Sequence, residues 1–466
     1  VNIDIHRYPE GPTMTLVDLT TPTPSRHTRA LDALPVAIIG AGPVGLAAAA
    51  NLVERGIDFV LYEAGDRVGS SIRRWGHTRL FSPWKHVVDP TSSRLLEAAG
   101  WEAPGPEDLP TGLELVEEYL EPLAALEPIT RRIRTRVTVD AVTRQGMDRT
   151  RTANRAATPF LLRVTSDDGV EELSARAVID ASGTYDAPNS LASSGLEPLG
   201  LADVADRVSH ALPDVLGRER ERFAGRHTTV VGAGHSAANT LLALAELADQ
   251  DPGTRITWLI RNAAAVRVTT AAGDELAARA SIGRRVDALV AAGTISVVDR
   301  FEIVRLGRTA DGVRLYGARG GDLVEHDTEL VVSATGFRPN LDMLREIRLE
   351  LDDVVEAPKR LAPLIDPNVH TCGTVEPHGF AELQHPEPAF FLAGMKSYGR
   401  APTFLLATGY EQVRSITAWI AGDVASAGRV ELVLPETGAC STSLPADGSC
   451  ATEAAGESEA DGSCCG

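Results

Sequence analysis

Two glycine turns constrain what this chain can fold into more than any other feature: Gly40-Ala-Gly-Pro-Val-Gly45 and Gly232-Ala-Gly-His-Ser-Ala237. Each follows an apolar run of strand length and opens a stretch of helical length. Around the first, Pro35–Gly40 reads as a strand, Val44–Arg55 as a helix and Ile57–Tyr62 as the next strand. Around the second, the strands are Thr228–Val231 and Arg255–Ile260, with the helix at Ser236–Ala248 between them. Glycines in such a turn permit the tight reversal, the close approach of backbone to a pyrophosphate, and close packing of helix on strand. The helix that follows presents unpaired N–H groups and the positive end of its dipole. Two β-turn-α-β units predict an α/β chain. At about 150 residues per domain, 466 residues accommodate two or three domains.

The second halves of the two units differ in chemistry. Glu63 follows the first unit's second strand, 23 residues after Gly40. A carboxylate there accepts hydrogen bonds from both hydroxyls of an unphosphorylated ribose. The second unit instead ends its strand at Arg261, whose guanidinium suits a 2′-phosphate that a carboxylate would repel. Gly40, Gly42, Pro43, Gly45 and Glu63 are thus expected to hold FAD. Gly232, Gly234, His235, Ser236, Ala237 and Arg261 are expected to hold NADPH. That pairing implies hydride transfer from nicotinamide to flavin, and onward passage of electrons from the reduced flavin.

Four further segments resemble those of the two-dinucleotide-binding-domain flavoproteins. Val178-Ile-Asp-Ala-Ser-Gly183 and Val331-Val-Ser-Ala-Thr-Gly336 look like the paired segments where the chain crosses between domains in that family. The second continues into Phe337-Arg-Pro-Asn340, and Phe391-Leu-Ala-Gly394 is similar to the late strand that contacts the flavin's pyrophosphate and ribitol. The resemblance adds Ser182, Gly183, Thr335, Gly336 and Gly394 to the cofactor-binding set. It implies a glutathione-reductase-like architecture of two Rossmann-like domains. A discontinuous FAD domain (34–200 and 335–430) would enclose an inserted NADPH domain (201–334). Residues 1–33 read as a loose N-terminal arm, and 431–466 as a disordered acidic tail containing cysteines.

Disulfide reductases of this superfamily carry two cysteines spaced Cys-x4-Cys or Cys-x2-Cys beside the flavin, and nothing of the kind follows Glu63. Val68-Gly-Ser-Ser-Ile-Arg-Arg-Trp75 instead resembles, in degenerate form, the Gly-Gly-x-Trp neighbourhood of flavin-containing monooxygenases, which adds Gly69, Ser70 and Trp75. In that family NADPH reduces FAD, dioxygen adds to the flavin as a hydroperoxide, and a soft nucleophile attacks its terminal oxygen. The family's linker motif Phe-x-Gly-x3-His-x3-Tyr survives only as His210, with Val204, Asp206 and Asp214 at its other positions. Gly76–Trp84 and Gly394–Phe404 look like segments flanking the flavin ring. They make Trp84, Lys85, Lys396 and Tyr398 the candidate catalytic residues, with His77 beside them. Lys396 would balance charge at the reduced flavin and Trp84 would shield the ring from water. The histidines and thiol of Val369–Gly379, with His385, fit no compact metal-ligand spacing and read as a loop near the substrate pocket.

Composition limits the partners. Sixty-four acidic against 45 basic side chains give a formal charge of −19, which argues against binding to nucleic acid or an anionic membrane. The most apolar run, Val36–Ala50, is too short and glycine-rich to span a bilayer, and no leader pattern opens the chain, so a cytoplasmic location is expected. Seven acids and no Lys or Arg lie from Glu431 onward, so the body carries −12. Cys372 stands alone, while Cys440, Cys450, Cys464 and Cys465 fall in the last 27 residues. There Ala446-Asp-Gly-Ser-Cys450 recurs as Ala460-Asp-Gly-Ser-Cys464. Thiolates are soft ligands, so Cys450, Cys464 and Cys465 are candidate ligands for a thiophilic metal or metalloid. The terminal pair resembles the delivery tail of mercuric reductases, and the whole sequence resembles the ArsO-type flavoproteins of arsenic-resistance operons. The expected protein is an NADPH-reduced FAD monooxygenase using dioxygen on a soft nucleophile, with an arsenical as the candidate substrate. Two alternatives are a flavin reductase of a metal ion, quinone or carrier protein, and a flavoprotein that binds a thiophilic ion through its tail.

Overall fold

A computed structural model of the chain describes residues 31–263, 277–366, 377–401 and 404–432. Its frame is two five-stranded parallel sheets. The first is assembled from β1 (Val36–Ile39), β2 (Phe59–Glu63), β3 (Ile133–Thr135), β7 (Ala177–Asp180) and β16 (Phe390–Leu392), in the order β16-β7-β1-β2-β3. The second contains β8 (Val208–His210), β9 (His227–Val231), β10 (Arg255–Leu259), β11 (Ile295–Val298) and β15 (Leu330–Ser333), in the order β11-β10-β9-β15-β8. All of its strands lie between β7 and β16 in sequence, so one Rossmann-like sheet is inserted within the other. The fold is the α/β architecture read from the two glycine turns.

The central strands of each sheet are buried along their length. Val36–Ile39, Ala177–Asp180 and Leu330–Ser333 are continuous buried runs, the signature of parallel sheet covered on both faces. Helix Pro43–Glu54, buried from Val44 to Leu52, packs between the first sheet and helix Leu406–Ile420. Helix His235–Gln250 covers the second sheet in the same way.

Two antiparallel three-stranded sheets complete the fold: β4 (Thr138–Arg144), β5 (Phe160–Ser166) and β6 (Gly169–Ala175) in one, β12 (Glu302–Arg308), β13 (Val313–Arg319) and β14 (Asp322–Thr328) in the other. Ser166-Asp-Asp-Gly169 between the runs Phe160–Thr165 and Glu172–Ile179 is a hairpin signal in the sequence, and the hairpin is present, but its return run, which reads as one strand over 172–179, is two. Gly169–Ala175 is largely exposed and pairs with β5, whereas Ala177–Asp180 is wholly buried and joins the parallel sheet. The change of sheet occurs at Arg176, whose N–H donates to the Pro35 carbonyl.

Leu113–Leu126 reads in the sequence as an amphipathic helix with acids along one face; the helical stretch begins at a capping box, with Glu114 N–H donating to Thr111 Oγ1 and Thr111 N–H to Glu114 Oε2. It then widens into a π-turn at Leu115–Leu120. Pro122 lacks an N–H, which frees the carbonyl of Glu118 four residues earlier. The Trp101 indole N–H fills that vacancy at 2.9 Å.

Candidate functional site

The first glycine turn is built by backbone contacts that leave one side open. Gly40 has φ +96°, and a Cβ there would lie 2.7 Å from Ser182 Cα. A Cβ on Gly45 would collide with the Gly40 carbonyl oxygen. By contrast, Cβ atoms on Gly42 and Gly183 would meet nothing within 4 Å. Pro43 occupies the first helical turn, and the Gly42 N-cap offers no side chain to the helix N–H groups. An open face over two glycines and an uncapped helix N-terminus fit a diphosphate.

Glu63 closes this turn from the side. Its Oε2 accepts the Ala41 N–H at 2.8 Å and its Oε1 the Gly65 N–H at 2.9 Å. Gly69, left-handed at φ +66°, donates its N–H to the Ala41 carbonyl, and the Ser70 hydroxyl donates to the Arg67 carbonyl at 2.5 Å. The half-buried Trp75 ring packs over Gly112, where a Cβ would come within 2.7 Å of it. Ser70 and Trp75 therefore shape the loop beside the turn.

The second turn repeats the pattern. Gly232 has φ +127°, a Cβ on it would strike the Ala334 carbonyl, and one on Gly234 would meet nothing within 4 Å. Helix His235–Gln250 starts without a side-chain cap. Ala237 is fully buried against the sheet, and the Ser236 carbonyl accepts the Thr240 hydroxyl. Trp258 on β10 donates its indole N–H to the Gly232 carbonyl at 2.6 Å, a strut the sequence reading missed. The ring of His235 lies 5.1 Å from that of Phe81, which reaches across from the segment before Trp84 to the core of the second unit.

The two crossovers between the sheets are tied to each other. Asn189 receives the Thr335 hydroxyl on its carbonyl at 2.8 Å, donates its side chain to the Thr335 carbonyl, and bonds the Gly336 carbonyl through its N–H. Tyr185 stacks on Phe337, and Arg74 covers Tyr185 while pairing with Asp186. Thr335 and Gly336 line a cavity of about 1130 Å³ that also contains the second glycine turn, Arg261, Met395 and Arg400. Arg261 is exposed there, and neither it nor Arg400 has a carboxylate partner among the described residues.

Of the four candidate catalytic residues the structure buries Trp84, Lys396 and Tyr398 and leaves Lys85 exposed. Trp84 is buried in the main core. Lys85 is exposed and pairs with the exposed Glu107 at 2.9 Å, a solvated surface contact apart from the cavity lining. In that short helix Trp84 and Val87 turn inward, and Lys85 does not. Tyr398 is buried against Phe404, and burial raises its hydroxyl pKa. Lys396 is also buried, with its ammonium bound to Asp180 and Ser182. Gly394 has φ +67°, and its N–H donates to Gln412, whose amide also bonds His378 and Ser397. His210 ends β8 and lines the cavity, while His77 is exposed.

His370, Cys372, Cys450, Cys464 and Cys465 lie outside the described residues. Among the described residues no group of three His, Cys, Asp or Glu is arranged to hold a metal, and no helix is long and apolar enough to cross a membrane. His385 accepts the Glu350 N–H on Nδ1 at 3.2 Å, and burial pulls its pKa from 6.5 down to about 4. The unfolded chain therefore takes the proton first. Stability is full above pH 6.5 and falls between 6.5 and about 4, by on the order of 3 kcal/mol for this group. Urea midpoints measured across that range should decline less steeply for His385→Phe than for the parent.

The model of the pyridine nucleotide-disulphide oxidoreductase family matches residues 37–360. Comparison with curated protein sequences gave no match. Several solved structures share the fold. A bacillithiol disulfide reductase from Bacillus cereus is 20% identical over 84% of this chain and 99% of its own, with a TM-score of 0.61. An FAD-bound cadaverine monooxygenase of desferrioxamine biosynthesis from Erwinia amylovora is 15% identical over 88% and 99%, with a TM-score of 0.60. A flavin monooxygenase variant from Stenotrophomonas maltophilia is 23% identical over 84% and 98%, at 0.53.

Proposed function

Because the chain belongs to the pyridine nucleotide-disulphide oxidoreductase family, we propose that it is an NADPH-reduced, FAD-dependent monooxygenase of a soft nucleophile, with trivalent arsenic as the candidate substrate. In this reading residues 34–200 and 335–430 form the FAD unit, and 201–334 the NADPH unit. One observation carries it: two open-faced glycine turns whose flanking strands end in opposite charge, Glu63 and Arg261, with no cysteine anywhere in residues 34–366. Without a dithiol beside the first turn, electrons leaving the flavin go to dioxygen or directly to a bound substrate.

Bound FAD would supply hydride acceptance and oxygen activation. The protein's own residues bind and orient. Gly40–Gly45 and the N-terminus of helix Pro43–Glu54 take the diphosphate, and Glu63, already braced by two backbone N–H groups, takes the ribose. Gly232–Ala237 holds the second diphosphate, and Arg261 the 2′-phosphate. Trp84 and Tyr398, both buried, keep water from the ring. Trp258 braces the second turn, so Trp258→Phe should weaken NADP+ binding about tenfold, by calorimetry, while FAD content stays unchanged.

Stopped-flow mixing of NADPH-reduced protein with oxygen tests the oxygenase reading. A transient absorbing in the near ultraviolet, prolonged by omission and shortened by addition of arsenite, is expected. Oxidation of NADPH sustained by a metal ion or quinone without oxygen would replace that reading with a reductase. The cysteines at 450, 464 and 465 favour a second role, capture of a thiophilic ion by the tail. Deleting residues 436–466 should then abolish ion binding and leave NADPH–flavin turnover intact.

A further inference from the structure

Asp180 is a carboxylate at the end of a strand that is otherwise Ala177, Val178 and Ile179, and its side chain is fully buried. Lys396, one of three lysines in the chain, is buried in the turn after β16. Its Nζ lies 2.7 Å from Asp180 Oδ2 and 3.0 Å from Ser182 Oγ. Asp180 Oδ1 in turn accepts the Ser182 hydroxyl at 2.7 Å and the Ser182 N–H at 3.2 Å. The three side chains form one closed cluster in which both charges and the hydroxyl are satisfied.

Its position gives it a role. Ser182 is the residue against which Gly40 packs, and Gly183 beside it faces open space. Gly394, two residues before Lys396, lies so close to Val44 at the start of the first helix that a Cβ on it would come within 3.1 Å of the valine side chain. The cluster therefore ties together the two backbone turns, 181–183 and 394–398, that follow the neighbouring strands β7 and β16 on one side of the first glycine turn. A buried ion pair is a poor source of net stability, since desolvation offsets attraction. It is well suited to fixing a distance, because either charge left alone in the interior is costly.

We propose that Lys396 and Asp180 act as a unit that positions both turns around the flavin nucleotide, with Lys396 committed to Asp180 rather than to the flavin ring. This rests on FAD occupying the first glycine turn. Lys396 and Asp180 are positioning residues, and their effect on the cofactor passes through Ser182 and the backbone of the 394–398 turn.

The test is a double-mutant cycle on the full-length holoenzyme, reading FAD release by fluorescence and NADP+ affinity by calorimetry. Lys396→Gln and Asp180→Asn are each expected to weaken FAD binding at least about tenfold, and the double variant to return within about threefold of the parent. NADP+ affinity should stay within about twofold throughout, which a general loss of stability would not allow. Ser182→Ala keeps both charges, so it reports even where a single neutralisation fails to fold. It should release FAD about fivefold faster. A double variant as weak as Lys396→Gln would overturn the proposal, since Lys396 would then act on the cofactor directly. Unchanged FAD release in Ser182→Ala would also overturn it. A parent protein that neither carries nor binds FAD would instead refute the proposed function.

Discussion

Gly45→Ala is expected to yield protein without FAD, losing at least about 100-fold in affinity, while Gly42→Ala folds normally and loses affinity alone. The two glycines serve different ends. At Gly45 an added Cβ would run into the Gly40 carbonyl, a backbone atom fixed by the N–H of Gly40 bonding to the Tyr62 carbonyl. Nothing flexible is there to give way, so either the helix must lift off the strand or the turn must open. Both movements dismantle the diphosphate cradle. At Gly42 the same methyl enters open space, on the side where a diphosphate would approach. The separation is measured by apoprotein thermal stability against bound flavin absorbance. Gly45→Ala should lose both, and Gly42→Ala only the second. Full flavin occupancy in Gly45→Ala would show that the turn can dilate, and would sink this account of it.

Glu387→Ala carries the largest expected stability loss. This carboxylate is fully buried between two arginines. Its Oε1 accepts from Arg144 Nε at 2.8 Å, and its Oε2 from Arg155 Nε at 2.9 Å and the Arg348 N–H at 3.2 Å. Burial pushes its pKa up, but hydrogen bonds from Arg155 and Arg144 outweigh that and hold it below the usual range. Arg144 also donates to the Thr158 carbonyl and lies over the Phe160 ring, 3.5 Å from its centre. Removing Glu387 leaves two buried guanidinium groups facing each other. A loss of about 3–5 kcal/mol is expected, read from urea unfolding, with the β4–β6 sheet released from the segment leading into β16. Because the folded pKa is depressed, the ionised carboxylate stabilises the fold above the ordinary carboxylate range, and that contribution is lost on acidification through its folded pKa.

The elements around the two glycine turns were legible because their cause is local. A short apolar run, glycines at fixed offsets and an alanine-rich helix each act within a dozen residues, and Glu63 and Arg261 follow from strand length. Where local signals compete, sequence reading failed. Residues 172–179 alternate poorly for one strand because they serve two sheets. The helix at 113–126 keeps its apolar residues buried across a π-turn whose freed Glu118 carbonyl is taken up by the distant Trp101 indole. Lys85 and Trp84 are neighbours in a four-residue helix, and sequence alone does not say which of them faces inward.

The sequence by itself determined two nucleotide-binding units, their opposite charges, and the absence of a dithiol between residues 34 and 366. Only the tertiary structure decided what Asp180, Lys396, Trp258 and Glu387 do. Their partners are 216 residues away for Asp180 and Lys396, 26 for Trp258 and Gly232, and 243 for Glu387 and Arg144. A buried charge or indole N–H declares in sequence that it needs a partner, but not which one. The choice is made by the order in which parallel strands stack, and that is fixed by packing over the whole sheet.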